Sequence, residues 1–238
     1  YCMKENNWFD PFYIQSHLSE EESNIQKNVR DFCNNELKPT VVERNRKNEF
    51  DQSLYPKFGS LGVLGQTVKT HGGSGTSNLA YGLVAYEFEK IDSSYRSSIS
   101  VQSSLVIHPI NEFGSQEQKD KYLPPLIKGE KIGCFGLTES EAGSDPTSMK
   151  TSFKKTKDGY IINGSKNWIT NAPIADIFII WAIEENKDHK SIKGFIIEKN
   201  TEGLNTSIIE NKTSLKISPT GQIILNNVFV PNNLCLEN

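Results

Sequence analysis

The sequence has little of what usually announces a function. Four cysteines stand in 238 residues, Cys2, Cys33, Cys134 and Cys235, and no two form a CxxC pair. Neither a thiolate metal site nor a disulfide framework is signalled, so a reducing compartment is the simpler setting. Sequons at Asn163, Asn205 and Asn211 point the other way, but in a chain this rich in Asn chance accounts for them. Charge of either sign is not in excess: 26 Lys and Arg face 29 Asp and Glu, for a net −3. Nothing electrostatic asks for nucleic acid or an anionic membrane as partner. No apolar run is long enough to span a bilayer, and no stretch of these residues reads as a signal peptide. There is no nucleophile elbow, P-loop, GxGxxG or HExxH, and no internal repeat or low-complexity tract. The histidines carry little: His108 precedes Pro109 in an apolar stretch and reads as structural, while His17, His71 and His189 read as surface.

What is present is an ordinary globular composition, 36% hydrophobic and 23% charged, in a chain long enough to bury a core without staples. The first half reads as helical. Ser19 to Glu22 is a capping box, followed by Ile25, Val29, Phe32 and Leu37 at helical spacing until Pro39. A short amphipathic piece over 54–64 and the Gly-rich turn 71–75 follow. A second long helix is expected over 78–91, with Leu79, Leu83, Tyr86 and Phe88 facing the core. Ser97 to Ser104 is either a loop or a helix packed closely on a neighbour. Gly114 stops one element, and Ser115 to Gln118 caps another that runs to about Lys128. From Ile132 the apolar residues come in short runs. Asp158-Gly159 and Asn163-Gly164 are hairpin signals, because both turn positions favour positive φ. Strands are expected at 177–183, 194–198 and 222–230. Helices first and strands second predict an α+β chain in two domains, 1–130 all-helical and 131–238 an antiparallel β-barrel or sandwich.

Three segments carry candidate chemistry. Phe135-Gly136-Leu137-Thr138-Glu139-Ser140-Glu141-Ala142-Gly143-Ser144-Asp145-Pro146 is a strand leading into a turn of small residues, hydroxyls and free amides, which can approach a flat polar ring or a phosphate. A plain surface turn, with Asp145 ahead of Pro146, satisfies the same residues and is commoner. Lys166-Asn167-Trp168-Ile169-Thr170-Asn171 sets an indole beside a hydroxyl, which suits stacking and one hydrogen bond to a cofactor edge; a Trp capping the barrel end is the alternative. Asp92-Ser93-Ser94-Tyr95-Arg96-Ser97, with Glu89 one turn earlier, places a guanidinium among small side chains. There it clamps a carboxylate, or it simply pairs with Asp92.

Together these segments resemble the acyl-CoA dehydrogenase family. Phe135 to Pro146 is similar to its "TE…GSD" loop and Trp168-Ile169-Thr170 to its "WIT" strand, in the family's order, and the likeness runs through Val228 to Pro231. Tyr95-Arg96-Ser97 with Ser100-Val101-Gln102-Ser103-Ser104-Leu105 and His108-Pro109 resembles the glutaryl-CoA dehydrogenases. The resemblance implies FAD as cofactor, held by Phe135, Gly136, Leu137, Thr138, Gly143, Ser144, Trp168, Ile169 and Thr170. It implies an acyl-CoA substrate, with Ser144 on the CoA portion and Arg96, Glu89 and Ser97 near a distal carboxylate. Further implications are oxidation and decarboxylation of glutaryl-CoA to crotonyl-CoA, as in lysine and tryptophan degradation. Electrons would pass to an electron-transfer flavoprotein from a homotetramer, in the mitochondrial matrix of a eukaryote or the cytoplasm otherwise.

Several positions depart from the pattern. Ser140 stands where Pro is usual, Glu141-Ala142 replaces neutral small residues, and Lys216 replaces Arg. Beginning at Tyr1 and stopping at Asn238, the chain reads as cut at both ends. The family's C-terminal helical bundle, with its catalytic Glu, is expected to be missing, so no catalytic residue is assigned here. An acyl-CoA dehydrogenase or oxidase of other chain specificity, or a truncated non-catalytic binding protein, remains as an alternative.

Overall fold

Local capping starts the helices where the sequence places them. The computed structural model describes residues 10–185 and 191–236; Cys2, His189 and both chain ends lie outside them. In α1 (Glu20–Phe32), Ser19 Oγ accepts from Glu22 N at 3.2 Å while the Glu22 carboxylate accepts from Ser19 N at 3.0 Å. Both first-turn orphan donors are thereby satisfied. α1 widens into a π turn at Cys33–Leu37 before Pro39 stops it. Next come α2 (Val41–Lys47), α3 (Leu54–Ser60) and α4 (Asn78–Glu89). α5 (Ser93–Ser100) continues through π turns at Val101–Ile107 into α6 (His108–Phe113), so the Ser-rich stretch is helical. α7 (Gln116–Ile127) opens on the second capping box, Ser115 with Gln118.

α4 corrects one expectation. Its buried residues are Ala80, Leu83, Val84, Glu87 and Phe88, whereas Leu79 and Tyr86 are 48% and 53% exposed. Seven residues apart, those two share the outward stripe. Glu87 turns inward, where its Oε1 accepts from Gln26 Nε2 at 2.9 Å and Arg30 Nη2 at 2.9 Å, and its Oε2 from Lys90 Nζ at 3.2 Å.

The second half is one curled sheet of β1 (Gly133–Gly136), β2 (Ser152–Lys155), β3 (Gly159–Thr170), β4 (Ile177–Glu184), β5 (Lys193–Glu198), β6 (Leu204–Ile208) and β7 (Thr220–Pro231). The strand order is β1-β4-β2-β3-β7-β6, with β5 paired to β4. Pairing is mixed rather than purely antiparallel, because β1 and β2 both run parallel to β4. Asp158-Gly159 does close the β2–β3 hairpin. Asn163-Gly164 makes no turn; it is a bulge inside β3, where the β7 register slips. Gly164 has φ +145°, and a Cβ there would sit 2.5 Å from Thr151 Oγ1, so both backbone and space require glycine.

Ile177, Ile179 and Ile196 join the helical core, which includes Phe58, Phe88, Val106 and Leu126. Phe178, Ile180, Phe195 and Ile197 fill the interior of the curled sheet. β4 is therefore buried on both faces, which explains its unbroken apolar run. Among the described residues no helix is long and apolar enough to cross a membrane.

Candidate functional site

β1 delivers the first segment. Gly136 is buried, and a Cβ there would approach Ile180 Cδ1 to 2.6 Å, so the end of that side chain would have to shift to admit one. Phe135 leans on Trp181 with ring centroids 6.1 Å apart. Beyond β1, Leu137 and Thr138 are half-buried, and the turn that follows is pinned by Glu139. Glu139 N donates to Ala142 O at 3.1 Å. Its Oε1 accepts from Thr151 N at 3.0 Å and Lys166 Nζ at 2.7 Å, and its Oε2 from Lys150 N at 2.7 Å. Burial works to raise the Glu139 pKa, but the bonds from Lys166, Thr151 and Lys150 outweigh it and leave the carboxyl below its usual range. For Lys166, 0% exposed, burial prevails over the pull of Glu139 and lowers the ammonium. The two shifts thus favour opposite charge states of one pair; the 2.7 Å contact and Glu139's further amide donors favour keeping it ionised.

The departures in this loop are accommodated. Ser140 Oγ accepts from Asn167 Nδ2 at 3.2 Å, and Glu141 pairs closely with Lys150. Gly143 and Ser144 lie exposed on the turn, where a Cβ on Gly143 would meet open space; neither steric need nor burial singles out that glycine.

β3 delivers the second segment. Its ladder with β7 is irregular between Lys166 and Ile169, and at that irregularity Trp168 adopts φ +60° with 59% of its surface exposed. A bulky side chain in the left-handed region is strained by roughly 1–2 kcal/mol, and such strain concentrates at binding sites. Trp168 N is held by Asn167 Oδ1 at 3.0 Å. The indole therefore does not cap the barrel; it borders a cleft of 280 Å³ lined also by Thr170, Lys212, Leu215 and Thr220. Ile169 points the other way, 4% exposed in the sheet core, so of that residue only the backbone can meet a ligand. Lys212 Nζ donates to Leu215 O at 2.7 Å, Thr220 Oγ1 at 2.8 Å and Ser218 O; burial lowers its pKa, and no carboxylate pairs with it among the described residues.

The third segment lies on α5. Arg96 Nε donates to Glu89 Oε2 at 2.8 Å, and Glu89 also accepts from Ser93 Oγ. The Ser93 bond, then the Arg96 bond, hold Glu89 below the usual carboxylate range. Asp92 is not the partner: its Oδ1 caps α5 by accepting from Ser94 N at 2.8 Å. Arg96 and Glu89 are 37% and 46% exposed, and the terminal nitrogens of Arg96 make no hydrogen bond among the described residues. Ser97, next along, is half-buried. This helix is fixed to β1 through Gln102, whose Nε2 donates to Leu126 O and Lys131 O at 2.9 Å and whose Oε1 accepts from Gly133 N at 2.8 Å. The carriers of Arg96 and of Phe135 are thus joined by directed bonds.

The described histidines form no cluster with other metal-ligating residues. His108 is exposed rather than structural core, and His17 is exposed as read. His71 is largely covered and pairs with Asp120 at 2.9 Å. Among the described residues no cluster of His, Cys, Asp and Glu can hold a metal. Sequence reasoning placed Glu139 and Lys166 inside candidate segments without giving either a role, and missed Lys212. A charged residue at an inward-facing position of β3 was the one available signal for Lys166.

Residues 19–130 match the family described as acyl-CoA dehydrogenase, N-terminal domain, and residues 134–228 its middle domain. The short-chain-specific acyl-CoA dehydrogenase of Clostridium acetobutylicum is 38% identical over 217 residues, which is 90% of this chain and 57% of that protein. A glutaryl-CoA dehydrogenase of Mycobacterium smegmatis, solved with FADH2, superposes with TM-score 0.91 at 38% identity, over 95% of this chain and 57% of that one. Butyryl-CoA dehydrogenase of Megasphaera elsdenii gives TM-score 0.86 at 36% identity, over 93% and 59%. The chain thus spans less than two thirds of the relatives it matches.

Proposed function

This chain belongs to the acyl-CoA dehydrogenase family, and from that premise we propose that the whole protein is an FAD-dependent dehydrogenase of glutaryl-CoA. The observation that carries the flavin reading is Trp168, an exposed indole held at φ +60° beside the hydroxyl-lined cleft. A tricyclic ring with one polar edge needs a flat apolar face and hydroxyls close by; Trp168 and Thr170 line the cleft, and Thr138 is tied through its carbonyl to Asn167, next to the indole. FAD, when bound, supplies the hydride acceptor.

The chain's own residues then have separable tasks. Trp168 covers one face of the ring system and excludes water from it. Thr138 and Thr170 offer hydroxyls to its edge, and Leu137 packs beside it. Ser144, exposed on its turn, is placed to meet the CoA portion. Arg96 receives the distal carboxylate on its terminal nitrogens, which make no hydrogen bond among the described residues, while Glu89 holds the guanidinium by its Nε and orients the fork. Removal of the α-proton is assigned to no residue of this chain. We expect the 238-residue polypeptide alone to leave added FAD oxidised in the presence of glutaryl-CoA. Decarboxylation, transfer of electrons to an electron-transfer flavoprotein and tetramer assembly belong to the same proposal.

The substrate reading rests on Arg96, whose Nε is paired with Glu89 while its terminal nitrogens make no hydrogen bond among the described residues. Relatives similar to this chain differ in substrate, so the test must be of the tail. In the full-length protein, Arg96→Ala is expected to lower kcat/KM for glutaryl-CoA about 100-fold, the order of a charge-assisted bidentate contact. Its kcat/KM for butyryl-CoA should hold within about threefold or rise. Equal losses on both substrates would remove the carboxylate clamp and leave a dehydrogenase of other chain specificity.

A further inference from the structure

We propose that Lys166, acting with Glu139, is a positioning residue that presents Thr138 and Trp168 to the flavin; this rests on the flavin reading above. Lys166 is the one lysine among the fully buried large side chains of the described residues. An ammonium there gains little net stability, because desolvation offsets most of the pairing, and an apolar pair of similar volume would hold the sheet as well. What an apolar pair cannot do is hold a loop by directed bonds.

Those bonds bracket Thr138. Lys166 Nζ donates to Leu137 O at 3.0 Å and to Glu139 Oε1 at 2.7 Å, the residues before and after it. The next amide, Asn167 N, donates to Thr138 O itself at 2.9 Å. Three consecutive residues of the turn are thus tied to two consecutive residues of β3. Glu139 passes the restraint on to the start of β2 through the amides of Lys150 and Thr151. On the other side, Lys166 is the last residue in register with β7 before the irregularity that carries Trp168. Its Cγ also stands 3.2 Å from where a Cβ on Gly136 would be, so the stem supports the end of β1. One buried side chain therefore sets the spacing between the hydroxyl and the indole offered to the cofactor. Preorganisation of this kind needs a supporting shell whose own bonds are complete.

The test compares Lys166→Met, Glu139→Gln and the double variant in the full-length protein. Three quantities are read: melting temperature, amide exchange at 137–142 in apoprotein, and FAD affinity by titration of apoprotein with the visible flavin band followed. Each single variant should speed exchange at 137–142 at least tenfold, weaken FAD at least tenfold and shift the flavin band. The double variant strands no charge, so its melting temperature should return close to wild type while FAD stays at least tenfold weaker. A double variant with wild-type melting temperature, exchange and FAD affinity would overturn the proposal. Glu139→Gln keeps the side chain's shape; if exchange at 137–142 is unchanged in it, the proposal also fails. Wild-type protein that takes up no FAD would instead sink the flavin reading, and the apoprotein exchange would still decide whether the pair orders the loop.

Discussion

At the scale of single residues, Trp168 holds a conformation that its own side chain disfavours. With 59% of its surface exposed, the indole contributes little burial, while φ +60° costs a non-glycine residue roughly 1 kcal/mol or more. Trp168→Gly removes that cost, and glycine's added unfolded-state entropy returns part of it. The expected result is a melting temperature unchanged or raised by a few degrees, together with at least a tenfold loss of FAD affinity. A fall in melting temperature equivalent to about 2 kcal/mol would mean that the indole is structural. Strain kept without a stability gain is the mark of a side chain held for contact with something outside the chain.

At the scale of elements, what the sequence made legible was whatever short-range chemistry decides. Both capping boxes formed because Ser19 with Glu22 and Ser115 with Gln118 need only their own first turns. Asn163-Gly164 was misread for the complementary reason: the pair suits a two-residue turn, but β3 stays paired to β7 on both sides of it and forces the extra residue into a bulge. β6 went unseen because Leu204-Asn205-Thr206-Ser207-Ile208 is a largely exposed edge strand with no apolar alternation. At the site, the two motif segments were legible as segments. The Glu139–Lys166 pair, 27 residues apart, becomes visible only once the sheet has curled.

The contact between α1 and α4 shows the same limit and makes a prediction. Glu87 is 2% exposed, and Gln26, Arg30 and Lys90 all donate to its carboxylate. Burial acts to raise its pKa, but the bonds from Arg30 and Lys90 prevail and leave it below the usual 4.5. A carboxyl with a depressed folded pKa stabilises fully above its unfolded value, and loses that contribution as pH falls through the folded one. Arg30 is 42% exposed and its share is discounted for solvent, so Glu87→Gln should cost about 2 kcal/mol at pH 7. Its melting temperature should also fall less steeply than wild type once pH drops below about 4.5. The flattening is partial, because Glu139 titrates in the same direction. Parallel curves of melting temperature against pH would show that the ion pair contributes nothing to the contact.

At the scale of the whole molecule, secondary structure changes character between Ile127 and Gly133, but the apolar core does not divide there. Ile177, Ile179, Ile196 and Ile217 from the sheet half are each fully buried in the same cluster as Tyr55, Phe58, Val106 and Leu126. At roughly 2 kcal/mol for each buried isoleucine, the shared core supplies about 8 kcal/mol, comparable with the total stability of an ordinary domain. Gln102 adds a directed link, because losing the sheet half strands its buried Oε1, which accepts from Gly133 N. The halves should therefore unfold together. In a urea titration of the 238-residue chain, far-UV circular dichroism, dominated by the helices, should give the same midpoint as indole fluorescence, to which the sheet half contributes Trp168 and Trp181. A helical signal lost at lower urea than the indole signal would refute the shared core. Coincidence has a functional consequence, because the helix bearing Arg96 and the strand bearing Phe135 would then keep one fixed separation. On the proposed glutaryl-CoA reading, the length of acyl chain that fits between the guanidinium and the cleft beside Trp168 would be set by a core that opens only when the chain unfolds.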